Sequence, residues 1–203
     1  MDFLNPALLA GAALAASVAT SGARAARQPP DQAALVRAAR RLLDANASRI
    51  GAADLVALVD FSRPSSERRL HLVDLENAQI DSFLTAHGRG SDPGHTGWLK
   101  SFSNEPGSKA TSKGAYRTGA LYDGKYGRSM RLAGLDPENG NAEARAIVIH
   151  PAWYVSETMT AQHGKLGRSE GCFALSDAGL EQVLSRLGPG RLLYAGKLAE
   201  LAL

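Results

Sequence analysis

The chain lacks most of the features that mark the common functional classes. Among 203 residues there is one cysteine, Cys172. A single thiol excludes an internal disulfide framework and any Cys-x-x-Cys metal or redox motif. A tetrahedral metal site could be drawn from Cys172, His150 and either His87 or His163, but no close His pair supports one. No metal and no cofactor is therefore expected. Aromatic residues are scarce, at 6%. Charge is nearly balanced, with 23 basic and 20 acidic side chains and a formal net charge of +3. No nucleic-acid-binding motif accompanies that mild excess, so nucleic acid is not an expected partner. The apolar run Leu8 to Val18 is well short of the ~20 residues needed to span a bilayer, and stable membrane insertion is not expected.

What is present fits one ordinary core. The content is 44% hydrophobic and 21% charged, typical of a globular domain. Twenty-one glycines imply many turns and so a mainly β, α+β fold. Residues 1–25 combine the apolar, alanine-rich run with the small residues of Ala23-Arg24-Ala25, which reads as a secretory signal despite Asp2 and the missing leading Lys or Arg. A secreted or periplasmic location in the cell envelope follows. Residues 26–51 read as a linker and an N-terminal helix: Asp31 is a good N-cap, and Leu35, Ala38, Ala39, Leu42 and Leu43 share a face over 32–45. Residues 52–198 read as one catalytic unit and 199–203 as a tail.

Within that unit the apolar run Leu55 to Val59 predicts a strand. Leu70 to Leu75 and Ile80 to Ala86 predict two more, joined through Glu76-Asn77-Ala78. Residues 88–113 have no periodicity; with Trp98 and Phe102 they read as a groove wall or lid. Tyr116 to Tyr122, Arg128 to Ala133 and Arg191 to Ala195 predict further strands. Ser176 caps a helix whose Leu180, Val183, Leu184 and Leu187 share a face.

The chemistry concentrates in Ile147-Val148-Ile149-His150 and, after a long loop, Arg168-Ser169-Glu170-Gly171-Cys172. A β-branched run ending in histidine reads as a strand that carries a base to its mouth. Glycine before cysteine permits a sharp turn with positive φ. An unperturbed thiol is mostly protonated at neutral pH; a neighbouring imidazole can take its proton, hold the pair as thiolate and imidazolium, and later return the proton to a leaving amine. The N–H groups of Gly171 and Cys172 can face an oxyanion, and Ser169 can brace the turn. Arg168 can hold a carboxylate. His87, His163 and Arg89 are further substrate-contact candidates, as is Lys165, and Trp153 and Tyr154 can wall a groove.

These stretches resemble the catalytic domain of L,D-transpeptidases, the YkuD-like family. The shared pattern is a strand-end histidine, here His150, followed after a spacer by Ser-x-Gly-Cys, here Ser169 to Cys172. Arg63 to Leu70, Ala86 to Ser91, Phe102-Ser103-Asn104 and Gly167-Arg168-Ser169 resemble the murein transpeptidase subgroup. The resemblance covers roughly residues 52–198. It implies a YkuD-like β-sandwich or barrel with a few flanking helices. It also implies cysteine acyl transfer on peptidoglycan stem peptides, with Cys172 as nucleophile, His150 as base and Gly171 with Cys172 as oxyanion donors, giving 3→3 crosslinks. An L,D-carboxypeptidase sharing the same acyl-enzyme, and a non-catalytic wall-binding module, are the alternatives. A monomer is expected. Two departures stand out. Ala174 occupies the place where most members carry arginine, leaving Arg168 as first candidate for that work. Pro151 follows the histidine, and the sequence names no group to orient the imidazole.

Overall fold

The computed structural model describes residues 31–201; the segment read as a secretory signal lies outside them. Helix α1 (Gln32–Asn46) starts where Asp31 caps it, the carboxylate accepting from Ala33 N at 3.0 Å. Strands β1 (Leu55–Asp60), β2 (Leu70–Asp74), β3 (Gln79–Phe83), β4 (Gly114–Gly124), β5 (Gly127–Gly134), β6 (Val148–Pro151), β7 (Phe173–Leu175) and β8 (Leu192–Gly196) form one sheet in the order β3-β2-β1-β8-β4-β5-β6-β7. Only β1 with β8 and β6 with β7 run parallel. Helix α2 (Glu157–His163) lies between β6 and β7, and α3 (Asp177–Leu187) follows β7, capped by Ser176 Oγ.

Strand β1 is apolar at five successive positions because both of its faces are covered. Leu55, Ala57 and Val59 point into one core with Leu180, Val183, Leu184 and Leu187 of α3. Val56 and Leu58 point the other way, onto Leu35, Ala38 and Ala39 of α1. The two faces alternate residue by residue, as strand geometry requires. The helix periodicity of the N-terminal segment and the unbroken run of β1 are thus two halves of one packing arrangement.

The sheet curls until its outer strands nearly meet. Beyond β3 the chain crosses toward β7, where Ala174 O accepts hydrogen bonds from Ala86 N and from Thr85 Oγ1, each 3.0 Å. The fold is therefore mainly β, a nearly closed barrel with three α-helices among the described residues, rather than a sandwich. The crossing also ends β3 at Phe83 instead of Ala86. Ala174 is fully buried among Ala86, Ala152, Val155 and Leu166, so an arginine would not fit at this position.

Two elements went unread in the sequence. Strand β7 has three residues, too few for a period-two pattern to show. Helix α2 is seven residues of mostly polar sequence inside what reads as a plain loop. The glycine-rich segment 88–113 is not a loose lid. Ser91, Asp92, Thr111 and Ser112 are fully buried in it, and Ser91 Oγ accepts from Thr111 N at 3.0 Å. Of the segment read as a tail, 199–203, Leu201 packs on the α1 side, and residues 202–203 lie outside the described residues. No helix among the described residues is long and apolar enough to cross a membrane.

Truncating a side chain that seals the α1 face tests this arrangement. Leu58→Ala should lower the unfolding free energy by about 2–5 kcal/mol in urea denaturation, with the denaturant slope unchanged. A loss well under 1 kcal/mol would contradict a two-sided β1.

Candidate active site

Strand β6 presents His150 because its neighbours are committed elsewhere. Ile147 and Ile149 enter the α3-side core, which sends His150 to the opposite side. Its Nδ1 lies 2.8 Å from the carbonyl oxygen of Pro151. A carbonyl can only accept, so Nδ1 carries the hydrogen and Nε2 keeps a lone pair. The group that orients the ring is thus the backbone of the residue that looked unhelpful: Pro151 lacks an N–H but not a C=O. Tyr126, in the turn between β4 and β5, stacks on the imidazole with centroids 4.5 Å apart and planes 24° from parallel. Burial pulls the His150 pKa below the ordinary value; the hydrogen bond to Pro151 opposes this, and Lys125 adds to it.

Cys172 sits in a turn that only glycine can make. Gly171 has φ +122°, and a Cβ there would lie 2.8 Å from both the Ala110 carbonyl oxygen and Ile147 Cδ1. Ser169 Oγ accepts from Gly171 N at 3.1 Å and donates to Cys172 O at 2.7 Å, closing the turn on itself. Thr111 Oγ1 donates to Gly171 O at 3.2 Å and accepts from Gly88 N at 2.9 Å. Gly88 must approach closely as well, since a Cβ on it would be 2.8 Å from Gly171 N. The Gly171 N–H is therefore engaged inside the turn and does not face an oxyanion, contrary to the sequence expectation. Ser169 is the brace.

The sulfur is half-buried and packs against the α3-side core, which the turn position alone did not imply. Its hydrogen bond runs to Ala146 O at 3.5 Å, and none joins it to His150. Cys172 lies in the turn one residue before β7, and His150 of β6 pairs with Ala174 of β7, two residues further along the chain. Burial raises the thiol pKa. A hydrogen bond from the Val148 backbone, then the Arg145 charge, oppose this; Glu170 reinforces it and Lys125 opposes it. Burial thus acts against the charged form of each group, the direction opposite to the thiolate–imidazolium pair expected from sequence.

The remaining candidates separate cleanly. Arg168 donates through Nη1 to the backbone carbonyls of Asp92 and Pro93, which ties that nitrogen to the loop. His87 is 1% exposed. Its Nδ1 accepts from the fully buried Arg69 at 2.8 Å, and its Nε2 stands 3.5 Å from Asp92 Oδ2. Burial, aided by Arg69, holds its pKa down to about 3. His87 belongs to a buried strut rather than a pocket lining, and its carbonyl accepts from Ser169 N at 2.9 Å. His163 ends α2 fully exposed and lines neither cavity beside His150. Lys165 donates to His95 O at 2.6 Å. Arg89 is exposed and paired with Glu170 directly before the thiol turn. Trp153, 82% exposed, and Tyr154 line a cavity of about 290 Å³ with His150. It shares Tyr126, Pro151 and Asp177 with a neighbouring cavity of about 440 Å³ along α3. Tyr126, Pro151 O and Arg145 were missed from sequence. No spacing rule joins a hairpin tip or a turn at 141–146 to a cysteine that follows later in the chain.

A nearly closed, mainly β barrel, with a histidine on β6 and the cysteine in the turn leading into the parallel β7, defines the class of fold. The family model described as the L,D-transpeptidase catalytic domain matches residues 28–195, and the chain belongs to that family. Solved structures similar to it include an L,D-transpeptidase from Mycobacterium smegmatis at 10% identity and TM-score 0.44, covering 70% of this chain and 58% of that one. Another, from Xylanimonas cellulosilytica, has 13% identity and TM-score 0.40, covering 77% and 68%. The helical cell shape determining protein Pgp2 from Campylobacter jejuni has 15% identity and TM-score 0.43, covering 84% and 57%. The chain thus spans less than two thirds of the first and third of these. Among curated proteins no match was found.

The buried histidines set a pH window for stability. His71 is held at about 4 and His87 at about 3, both chiefly by burial. Below about pH 6.5 the unfolded chain binds protons that the folded one refuses. Stability should be full above that pH and fall as pH drops from 6.5 toward 4, by up to about 1.4 kcal/mol per pH unit for each histidine. Urea midpoints at pH 7 and pH 5 measure this, since carboxylates titrate mostly below that range. Equal midpoints would contradict the burial of both rings. At the turn, Gly171→Ala should cost at least about 1–3 kcal/mol by the same measurement.

Proposed function

We propose that this chain is an exported cysteine acyltransferase acting on peptidoglycan stem peptides, an L,D-transpeptidase forming 3→3 crosslinks through a Cys172 thioester. Residues 52–198 are its catalytic unit, with α1 packed on the α1-side core and residues 1–25 directing export to the cell envelope. The observation that carries the reading is the His150 tautomer. With Nδ1–H held by Pro151 O, the Nε2 lone pair is the one available to accept a thiol proton.

In this reading the Cys172 thiol turns from Ala146 O toward His150, which accepts its proton as the sulfur attacks the carbonyl of the stem peptide's third residue. The Cys172 N–H, for which no acceptor is found among the described residues, stabilises the oxyanion. His150 returns the proton to the departing amine of the terminal D-alanine, leaving a thioester. The side-chain amine of a second stem peptide then attacks. His150 takes a proton from that amine and passes it to the leaving sulfur, which restores the neutral pair. Water in place of the amine gives the carboxypeptidase outcome. Arg89, exposed beside the turn, remains the candidate for the substrate carboxylate.

Incubation with tetrapeptide muropeptides should yield crosslinked dimers and free D-alanine; tripeptide alone would favour the carboxypeptidase reading. Cys172→Ala should abolish both. His150→Gln should lower the rate by about 10²–10⁴-fold. A carbapenem, a ring-strained acyl donor, should leave a mass adduct on the peptide containing Cys172. Intact activity in the Cys172 variant would sink the proposal.

A further inference from the structure

Arg145 takes part in none of those steps, yet it is the cation built into the wall behind the thiol. It ends the turn that follows β5, one residue before the carbonyl that accepts the Cys172 hydrogen bond. That next residue, Ala146, holds the left-handed φ of +51°, which fixes where the carbonyl points. The Arg145 guanidinium is aimed into the 103–112 loop. Nη1 donates to Ser103 O at 2.8 Å and to Ser112 Oγ at 2.6 Å, and Nη2 donates to Ala110 O and, at 3.3 Å, to Ser108 Oγ. Its other side faces Gly171, where a Cβ would lie 3.2 Å from Nη2. The guanidinium is thus held between the loop and the turn that carries the sulfur.

An arginine has five N–H donors, and the four on its terminal nitrogens are directed into the loop. No fork is left to grip a substrate carboxylate. What remains available is the charge, and no carboxylate forms an ion pair with it among the described residues. The other ionisable groups facing the thiol differ in kind. Lys125 is exposed at the β4–β5 turn, over the Tyr126 ring. Glu170 is negative but paired with Arg89 and Lys109. Tyr116 and Tyr154 have pKa values raised chiefly by burial, and burial lowers that of His150.

We propose that Arg145 is a positioning residue that clamps the 103–112 loop against the Gly171–Cys172 turn and, through its unneutralised charge, stabilises Cys172 as a thiolate. Its value for acyl transfer rests on the Cys172 reading above; its effect on the thiol does not. A positive charge against the turn that carries the sulfur favours the ionised thiol, and partial burial protects the effect from salt.

The test is the pH dependence of Cys172 alkylation by iodoacetamide, followed by intact mass, with thermal unfolding recorded for each protein. Arg145→Gln should raise the alkylation midpoint by about one pH unit and slow alkylation near neutral pH by roughly tenfold. Arg145→Lys keeps the charge and should return the midpoint toward wild type while unfolding at lower temperature, because the loop loses its forked donor. Lys125→Gln should move the midpoint by less than half as much. In the unsubstituted protein the midpoint should hold steady from low to high salt, an arm that decides the matter if Arg145→Gln does not fold. An unchanged midpoint in Arg145→Gln, equal midpoints in the Gln and Lys variants, or a midpoint that climbs with salt would each overturn the proposal. A protein that alkylates with the Arg145-dependent midpoint but takes no carbapenem adduct would overturn the acyl-transfer reading and leave this one standing.

Discussion

The structure depends on one close approach, the seating of the Gly171 turn. The Ala110 carbonyl, the Ile147 side chain and the Arg145 guanidinium stand where a Cβ on Gly171 would be, and Gly171 in turn stands where a Cβ on Gly88 would be. Nothing larger than hydrogen fits, and the positive φ penalises any L side chain there. The turn is closed from within by Ser169 and from without by Thr111. Strand β7 begins immediately afterwards, so the same turn sets the position of the sulfur and the register of the strand that completes the barrel.

Around that seat the protein places charged groups where a core would ordinarily hold apolar ones. Arg69 is wholly buried, its guanidinium donating to Thr85 O, Arg63 O and His87, and Asp92 is buried with its carboxylate held by Thr96 and Gly97. A buried charge left unpaired is costly. Here each is satisfied largely by backbone groups of loops that have no regular structure to fix them. The long segment 88–113 is held in place for this reason. Its order comes from polar hydrogen bonds directed at single atoms, which explains why it shows no hydrophobic period.

Burial also governs the chemistry of the pair. Removing Cys172 and His150 from water disfavours the charged form of each. Opposing that tendency are a few groups whose effect is local, the Val148 backbone and the Arg145 charge foremost among them.

Much of this was legible from the order of residues. The paired periodicities of α1, β1 and α3, the glycine before the cysteine and the histidine closing a β-branched run are local patterns, and local patterns fix elements through steric and hydrophobic rules that act over a few residues. Family membership followed from the same stretches. Tertiary structure alone decided the rest: that Arg168 and His87 serve the scaffold, that Pro151 turns the imidazole, that Tyr126 covers it, that Arg145 stands behind the sulfur. The physical reason is the same in each case. These groups lie far apart along the chain and meet only when the sheet curls nearly shut, and a hydrogen bond or a charge at a few ångströms leaves no periodic trace in the residues that make it.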